Sequence, residues 1–229
     1  MQSQMRSRVV DVDAATERSY LVRVYGWMTA ALAITGSVAM LTAQSEAATR
    51  FIFAHPGVFL GLFIVEVLLV LSLAMAVHRL SPAVAMAAFV AYAAINGLTL
   101  SAIFLIYTKV SIATTFFVAG GTFGAMAIWG ATTKRSLDGL RNFAMMGIVG
   151  FFIASIVNIF MHSETVYWLA TYVGVLVFTA LAAYHTQKIR QMRMGATTQG
   201  TILGALMLYM DFINLFLFLL QIFGDNRRR

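Results

Sequence analysis

Long stretches without Lys, Arg, Asp or Glu recur along almost the whole chain and constrain its fold more than any other feature. Five stretches contain none of these residues: Val24–Ser45, Leu80–Thr108, Val110–Thr133, Asn142–Ser163 and Thr165–Gln187. Two more contain only one each, Glu66 in Phe51–His78 and Asp211 in Met194–Gly224. A helix needs about 20 apolar residues to cross the hydrocarbon core. The pattern predicts an all-α, polytopic membrane protein with seven transmembrane helices.

The composition agrees with a membrane protein and excludes several other classes. Only 11% of the 229 residues are charged, against about 25% in a soluble domain. The absence of cysteine excludes disulfides and thiolate chemistry. A net charge of +7 is compatible with a nucleic-acid partner, but the charges lie in short segments between the apolar stretches. That placement is typical of a polytopic protein, so we expect the lipid bilayer as partner and no nucleic acid.

The domain organisation is simple. We predict an N-terminal tail at 1–20, one membrane domain at 21–224 and a basic tail at 225–229.

Local patterns predict how some of the helices begin and pack. Ser81-Pro82 has the residue types of a helix start. The short connection around Lys109 predicts that the third and fourth helices are antiparallel neighbours. Gly120 and Gly124 form a GxxxG pair, for which we favour packing inside the bundle over a dimer contact.

Positive charges predict the orientation, because Lys and Arg are enriched in cytoplasmic loops. With the N-terminus inside, eleven lie on the cytoplasmic side: Arg6, Arg8, Arg18, Arg23, Arg79, Lys134, Arg135, Arg141, Lys188, Arg190 and Arg193. Five lie outside: Arg50, Lys109, Arg227, Arg228 and Arg229. We therefore expect a cytoplasmic N-terminus. The terminal arginines oppose seven full crossings, but we favour seven.

The ionisable groups inside or beside the apolar stretches are the candidate functional residues. A carboxylate at hydrocarbon depth is costly and usually faces the bundle interior or a partner. Asp211 in the seventh helix is therefore expected to meet His185 at the inner end of the sixth, with Arg79 on the same side. Asn214 shares the face of Asp211. The seventh helix is apolar elsewhere, which predicts a central position. For Glu66, a purely structural role between helices remains an alternative.

Four segments resemble the transmembrane Bax inhibitor motif family, especially its proteobacterial branch. They are Ala183–Ile189, Leu208–Phe216, Asn96–Ser101 and Val65–Val67. The resemblance implies seven helices with the last wrapped by the other six, in the bacterial inner (plasma) membrane. It also implies a pH-responsive cation leak, chiefly for calcium.

The resemblance further implies roles for individual residues. In the family two aspartates on the sixth and seventh helices share a proton and form a latch, which an arginine near the end of the second helix contacts. A glutamate of the second helix lies on the ion path. These positions correspond to Asp211, Arg79 and Glu66, whereas His185 replaces the sixth-helix aspartate. Calcium prefers oxygen ligands, so we expect at most a weak calcium site at Asp211 and Glu66, with calcium as the transported ion and no cofactor.

Two hypotheses for function follow. The first is a cation leak, with calcium as the expected ion, gated by protonation around His185 and Asp211. The alternative is a non-transporting membrane regulator that binds a membrane protease or a stress-response partner. We do not expect an enzyme, because the sequence contains no GxSxG or HExxH motif of the kind that hydrolases and metalloproteases carry.

Overall fold

The computed structural model describes residues 2–191 and 197–225, with side chains from residue 16 onward. Within them lie eight α-helices and one short 3₁₀ turn. The helices are α1 (Gln2–Gln44), α2 (Glu46–Phe53), α3 (Pro56–Ala76), α4 (Pro82–Ile106), α5 (Lys109–Thr132), α6 (Asp138–Met161), α7 (Glu164–Gln191) and α8 (Thr198–Phe223). The 3₁₀ turn, Val77–Arg79, extends the end of α3.

Seven helices in the described ranges are long and apolar enough to cross a membrane, namely α1 from Thr16 onward and α3 to α8. The predicted all-α, seven-span class is confirmed. The predicted boundary after residue 20 does not separate two elements, because α1 runs through it and Tyr20 is buried. The short α2 was not predicted, and its last residues, Phe51–Phe53, had been included in the second apolar stretch. Among the cations used to predict the orientation, Arg193 and Arg227–Arg229 lie outside the described residues, as do the side chains of Arg6 and Arg8.

Hydroxyl side chains cap the starts of four spans, α4, α5, α7 and α8. The backbone N–H of Val84 donates to Ser81 Oγ at 3.4 Å at the start of α4, as the Ser81-Pro82 pattern predicts. Thr108 and Thr197 serve α5 and α8 in the same way, each accepting a backbone N–H at 3.2 Å. These bonds satisfy donors that the first turn of a helix leaves unpaired.

Helix α8 occupies the centre of the bundle, which confirms the predicted central position of the seventh span. In its most apolar stretch 72% of the residues are buried, against 11% for α3 and 6% for α6. It packs mainly on α1, α4, α5 and α7. The family resemblance implies that all six other spans wrap α8, but only four of them are its close neighbours. Helices α3 and α6 lie toward the periphery.

Gly97 and Gly130 each let the backbone of a neighbouring helix approach closely, whereas the GxxxG pair does not. A Cβ at Gly130 on α5 would lie 2.2 Å from the carbonyl oxygen of Ala183 on α7, and one at Gly97 on α4 would lie 2.7 Å from that of Thr35 on α1. Gly120 and Gly124 have no neighbouring atom within 4 Å of such a position. The predicted use of this pair in bundle packing is therefore wrong.

The tight turn between α4 and α5 does not make them packing partners. Helix α4 packs chiefly on α1, whereas α5 packs on α7 and α8 and touches α4 little. The prediction of adjacent third and fourth helices is thus wrong, because a short loop fixes only where two helix ends meet. The two helices then follow different neighbours, since each has its own buried face.

Candidate functional site

The structure brings His185 and Asp211 into direct contact between α7 and α8. His185 Nδ1 lies 2.6 Å from Asp211 Oδ2. The Asp211 side chain is 4% exposed and that of His185 is 20% exposed. Asp211 lies thirteen residues after Thr198, about 20 Å along α8, so the carboxylate stands near the middle of the span.

Burial determines which charge states this pair tolerates. With a protonated imidazole and an ionised carboxylate the pair is neutral overall and makes a charge-assisted hydrogen bond. Loss of the imidazole proton, or gain of one by the carboxylate, leaves an uncompensated charge in a poorly solvated place. Beside the pair, the hydroxyl of Tyr25 on α1 lies 2.7 Å from Thr186 Oγ1, on the residue that follows His185 in α7.

Neither of the other two predicted latch residues contacts the pair. Arg79 is exposed at the end of the 3₁₀ turn. Among the described residues it forms no ion pair or hydrogen bond with His185 or Asp211. The amide of Asn214 donates to the carbonyl of Met210 on its own helix at 2.8 Å. Of the predicted pH-sensing and latch residues, the structure brings only His185 and Asp211 into direct contact, and the roles of Arg79 and Asn214 stay predictions.

Glu66 belongs to a second buried polar cluster on α3 and α4. Its carboxyl accepts a hydrogen bond from the side-chain amide of Asn96 and lies 3.2 Å from Thr99 Oγ1. Glu66 is only 8% exposed although it sits on the peripheral helix α3. Its carboxyl therefore points toward α4 rather than into lipid, in keeping with the structural alternative given above.

Asn96 connects Glu66 to the central helix. Tyr209 on α8 donates to Asn96 Oδ1 at 2.8 Å. The same hydroxyl lies 2.7 Å from Thr35 Oγ1 on α1, and that oxygen lies 2.8 Å from the carbonyl oxygen of Ala93. Four spans therefore meet in one hydrogen-bonded cluster, which we call the Tyr209 cluster: Thr35, Glu66, Asn96, Thr99 and Tyr209.

The two clusters occupy different sides of α8. Tyr209 and Asp211 are two residues apart, about 200° around a helix. Asp211 therefore faces α7 while Tyr209 faces α1 and α4, and the predicted calcium site does not combine Asp211 with Glu66. Within the described residues no group of three or more His, Asp or Glu side chains is placed to hold a metal ion.

Comparison with known proteins identifies the family. The family model described as inhibitor of apoptosis-promoting Bax1 matches residues 17–228. The chain belongs to the Bax inhibitor family. It is 46% identical over 217 residues to the inner membrane protein YbhL of Escherichia coli strain K12, covering 92% of this chain and 93% of that protein.

More distant relatives have the same extent. An uncharacterised protein of Deinococcus radiodurans is 40% identical over 215 residues, covering 92% of this chain and 91% of that protein. An uncharacterised protein of Borreliella burgdorferi is 35% identical over 217 residues, covering 92% and 94%. Family membership and the seven apolar helices together make this chain a multi-pass membrane protein.

Four members of the Tyr209 cluster had no role predicted from the sequence of this family protein: Thr35, Asn96, Thr99 and Tyr209. One usable signal exists for Asn96, because an amide in an apolar helix, like a carboxylate, requires a partner. Hydroxyl residues give no such signal, since Thr and Tyr occur in many spans and can bond to their own helix. Only the structure shows which of them face each other.

Proposed function

We propose that this Bax inhibitor family protein is a pH-responsive cation leak, with calcium as the expected ion, in which His185 and Asp211 form a latch between α7 and α8. The observation that supports this proposal is the 2.6 Å contact between these side chains inside the bundle. An intramembrane ionisable pair of this kind commonly marks an ion or proton pathway. The same contact joins the central helix to a neighbour, so weakening it would loosen the packing around α8.

The pair favours a latch that closes at intermediate pH. Between the two titrations the imidazolium and the carboxylate attract each other and hold α7 against α8. Raising the pH removes the imidazole proton, and lowering it protonates the carboxylate. Either change leaves one buried charge without its counter-charge, so flux rises on both sides of a minimum.

We further propose that the protein lies in the bacterial inner membrane with its N-terminus in the cytoplasm. Its relative in Escherichia coli is named an inner membrane protein. The excess of Lys and Arg on the side of the N-terminus supports this orientation. The latch then lies between α7 and α8, with the end of α7 that carries His185 toward the cytoplasm.

Calcium flux into liposomes tests the leak. The purified protein is reconstituted with an entrapped calcium indicator, and initial rates are measured from pH 5 to 9. We expect a flux minimum in the native protein. Asp211→Asn and His185→Asn each remove one of the two attracting charges at every pH, so each should raise the flux at intermediate pH and abolish the minimum. Glu164→Gln, at an exposed carboxylate in the first turn of α7, serves as the control and should keep the minimum.

A further variant tests the leak independently of the His185–Asp211 pair. His185→Asp creates the two-carboxylate pair that the family resemblance implies. Flux no higher than in empty liposomes, for both the native protein and His185→Asp, would rule out the leak. A defined membrane partner that co-purifies equally with Asp211→Asn would then favour the regulator.

A further inference from the structure

The contact line between α7 and α8 continues well beyond the latch. The two helices are antiparallel. At the end of this contact line farthest from the latch, Thr171 Oγ1 lies 3.1 Å from Gln221 Oε1. Between this contact and the latch, Phe218 packs on Gly174, where a Cβ would lie 2.6 Å from the ring. We call this line, from Thr171 and Gln221 to His185 and Asp211, the α7–α8 seam.

One face of α8 lines the whole seam. Asp211, Asn214, Phe218 and Gln221 are spaced i, i+3, i+7 and i+10, the repeat that keeps residues on one side of a helix. Gln221 lies ten residues beyond Asp211, about 15 Å along the axis. Three of these four side chains are polar in an otherwise apolar span, and Phe218 alone interrupts them.

A cavity of about 360 Å³ opens at the far end of the seam, between α6, α7 and α8. Apolar side chains form about half of its lining, and neutral polar side chains from all three helices form the rest: Ser155, Asn158, Tyr167, Thr171 and Gln221. Liquid water occupies about 30 Å³ per molecule, so several waters fit. Hydroxyl and amide oxygens are also ligands that hard cations accept. We call this cavity the vestibule.

An aromatic cluster closes the inner end of the vestibule. The Phe218 ring stacks on Phe178 of α7, with centroids 5.9 Å apart and planes at 25°. It also meets Phe151 of α6 edge-to-face at 5.2 Å and 87°. Phe218 is 8% exposed, and Asp211 lies seven residues away, about 10 Å deeper. The ring therefore stands between the vestibule and the latch.

We propose that the vestibule is the far mouth of the pathway that leads to the latch and that Phe218 is the plug that closes it. The occupant of the vestibule is water or a hydrated cation held by neutral oxygen atoms. A constriction of apolar side chains excludes water because it offers the water no hydrogen bonds, and hydrophobic constrictions gate channels in this way. The passage of ions rests on the proposed function, whereas the exclusion of water by Phe218 does not.

The absence of cysteine from the chain allows a direct test of water access. Gln221→Cys reports the vestibule, and Asn214→Cys reports the seam beyond the plug. Each is reconstituted in phosphatidylglycerol–phosphatidylethanolamine vesicles and treated with a small cationic methanethiosulfonate that does not cross the bilayer. We expect rapid reaction of Gln221→Cys and slow reaction of Asn214→Cys. Adding Phe218→Ala should accelerate the labelling of Asn214→Cys at least tenfold. This rate is measured relative to the labelling of Gln221→Cys in a protein that also carries Phe218→Ala.

Matched variants keep this test decisive. Phe160→Ala removes an aromatic ring from α6 that is 80% exposed, and it should leave the Asn214→Cys rate unchanged. Phe218→Leu, a smaller change, should accelerate the labelling of Asn214→Cys to an intermediate extent. It replaces Phe218→Ala if that variant elutes as an aggregate in size-exclusion chromatography. An unchanged Asn214→Cys rate in the folded Phe218 variants, or an equal effect of Phe160→Ala, would overturn the plug. An unreactive Gln221→Cys would overturn the vestibule.

Calcium flux in the same vesicles separates this inference from the proposed function. Phe218→Ala should raise the flux several-fold if ions follow the seam. Accelerated labelling without any calcium flux would support the plug and contradict the leak. Raised flux with unchanged labelling would support the leak and place its pathway elsewhere.

Discussion

At the scale of single residues, the imidazole of His185 gives the latch a charge balance that two carboxylates do not have. A pair of aspartates that shares one proton carries a net negative charge, and it repels itself once that proton is lost. His185 and Asp211 are neutral together when both are ionised, at a contact distance of 2.6 Å. In the proposed latch, attraction between the two charges would hold the helices together, and the loss of either charge would weaken it.

The hydroxyl of Tyr209 is expected to contribute to stability, because it joins Asn96 and Thr35 at a place without solvent. Tyr209→Phe keeps the ring against Phe89 and Tyr92 but removes both contacts. Hydrogen bonds in membrane proteins contribute about 0.6–2 kcal/mol each, and an unpaired acceptor adds to the loss. We expect the free energy of unfolding to fall by about 1–2 kcal/mol, measured by titration with dodecyl sulfate in mixed micelles.

Tyr172→Phe is the matched control for this substitution. Tyr172 is 52% exposed and has no side-chain hydrogen bond to any described residue. Its replacement should change the free energy of unfolding by less than about 0.5 kcal/mol, as is usual for surface sites. Equal effects of the two substitutions would show that the Tyr209 cluster adds no stability.

The candidate residues differ in how far sequence alone could place them. Asp211 and His185 were paired from their depth and from the rarity of ionisable groups in apolar helices, and the structure brings them together. Arg79 was expected on the same side of the membrane as His185 and near the pair, yet its side chain is exposed. Sequence position fixes depth along a helix, but the direction of a side chain around the bundle depends on which helices pack together.

At the scale of helices, the number of spans followed from the apolar stretches, and their ends from capping residues such as Ser81. The neighbours of each helix did not follow. The short α2 was missed because eight residues between two spans give too little apolar pattern. The closest approach of α5 to α7 is at a residue without a side chain, Gly130, and the other glycines of the same helix look identical in sequence.

Gly130 is therefore expected to be the sensitive glycine of α5, and Gly124 the tolerant one. Gly130→Ala would place a methyl group 2.2 Å from the Ala183 carbonyl oxygen, and α7 would have to move. Overpacking of this kind costs about 1–3 kcal/mol. Gly124→Ala meets no atom within 4 Å and gains helix propensity of about 1 kcal/mol. Thermal midpoints in detergent should fall for Gly130→Ala and hold or rise for Gly124→Ala; the reverse order would contradict the α5–α7 contact.

At the scale of the whole molecule, α8 connects the two polar clusters. One face of it carries Asp211 toward α7, and another carries Tyr209 toward α1 and α4. A central helix that is fixed through different side chains on two sides can lose one attachment and keep the other. Opening the latch would therefore free the α7–α8 seam while the Tyr209 cluster holds α8 against α1 and α4.

The orientation of the bundle depends on an asymmetry of charge between its two ends. Among the described side chains, eight cations lie on the side of the N-terminus: Arg18, Arg23, Arg79, Lys134, Arg135, Arg141, Lys188 and Arg190. Two lie on the other side, Arg50 and Lys109. Arg190 also binds Glu17 at 2.5 Å and the carbonyl oxygen of Ala131, which ties the ends of α1, α5 and α7 together on the cation-rich side.

Labelling of single cysteines is expected to place that side in the cytoplasm, because short loops rich in Lys and Arg are retained there. Ser136→Cys lies in the exposed loop between α5 and α6, and Ala47→Cys lies on the exposed α2 at the opposite side. In intact spheroplasts a maleimide that does not cross the membrane should modify Ala47→Cys within minutes. It should modify Ser136→Cys only after lysis. Modification after lysis also shows that the cysteine at this site is reactive. Labelling of Ser136→Cys before lysis, with protection of Ala47→Cys, would invert the bundle and place the His185 end of α7 outside.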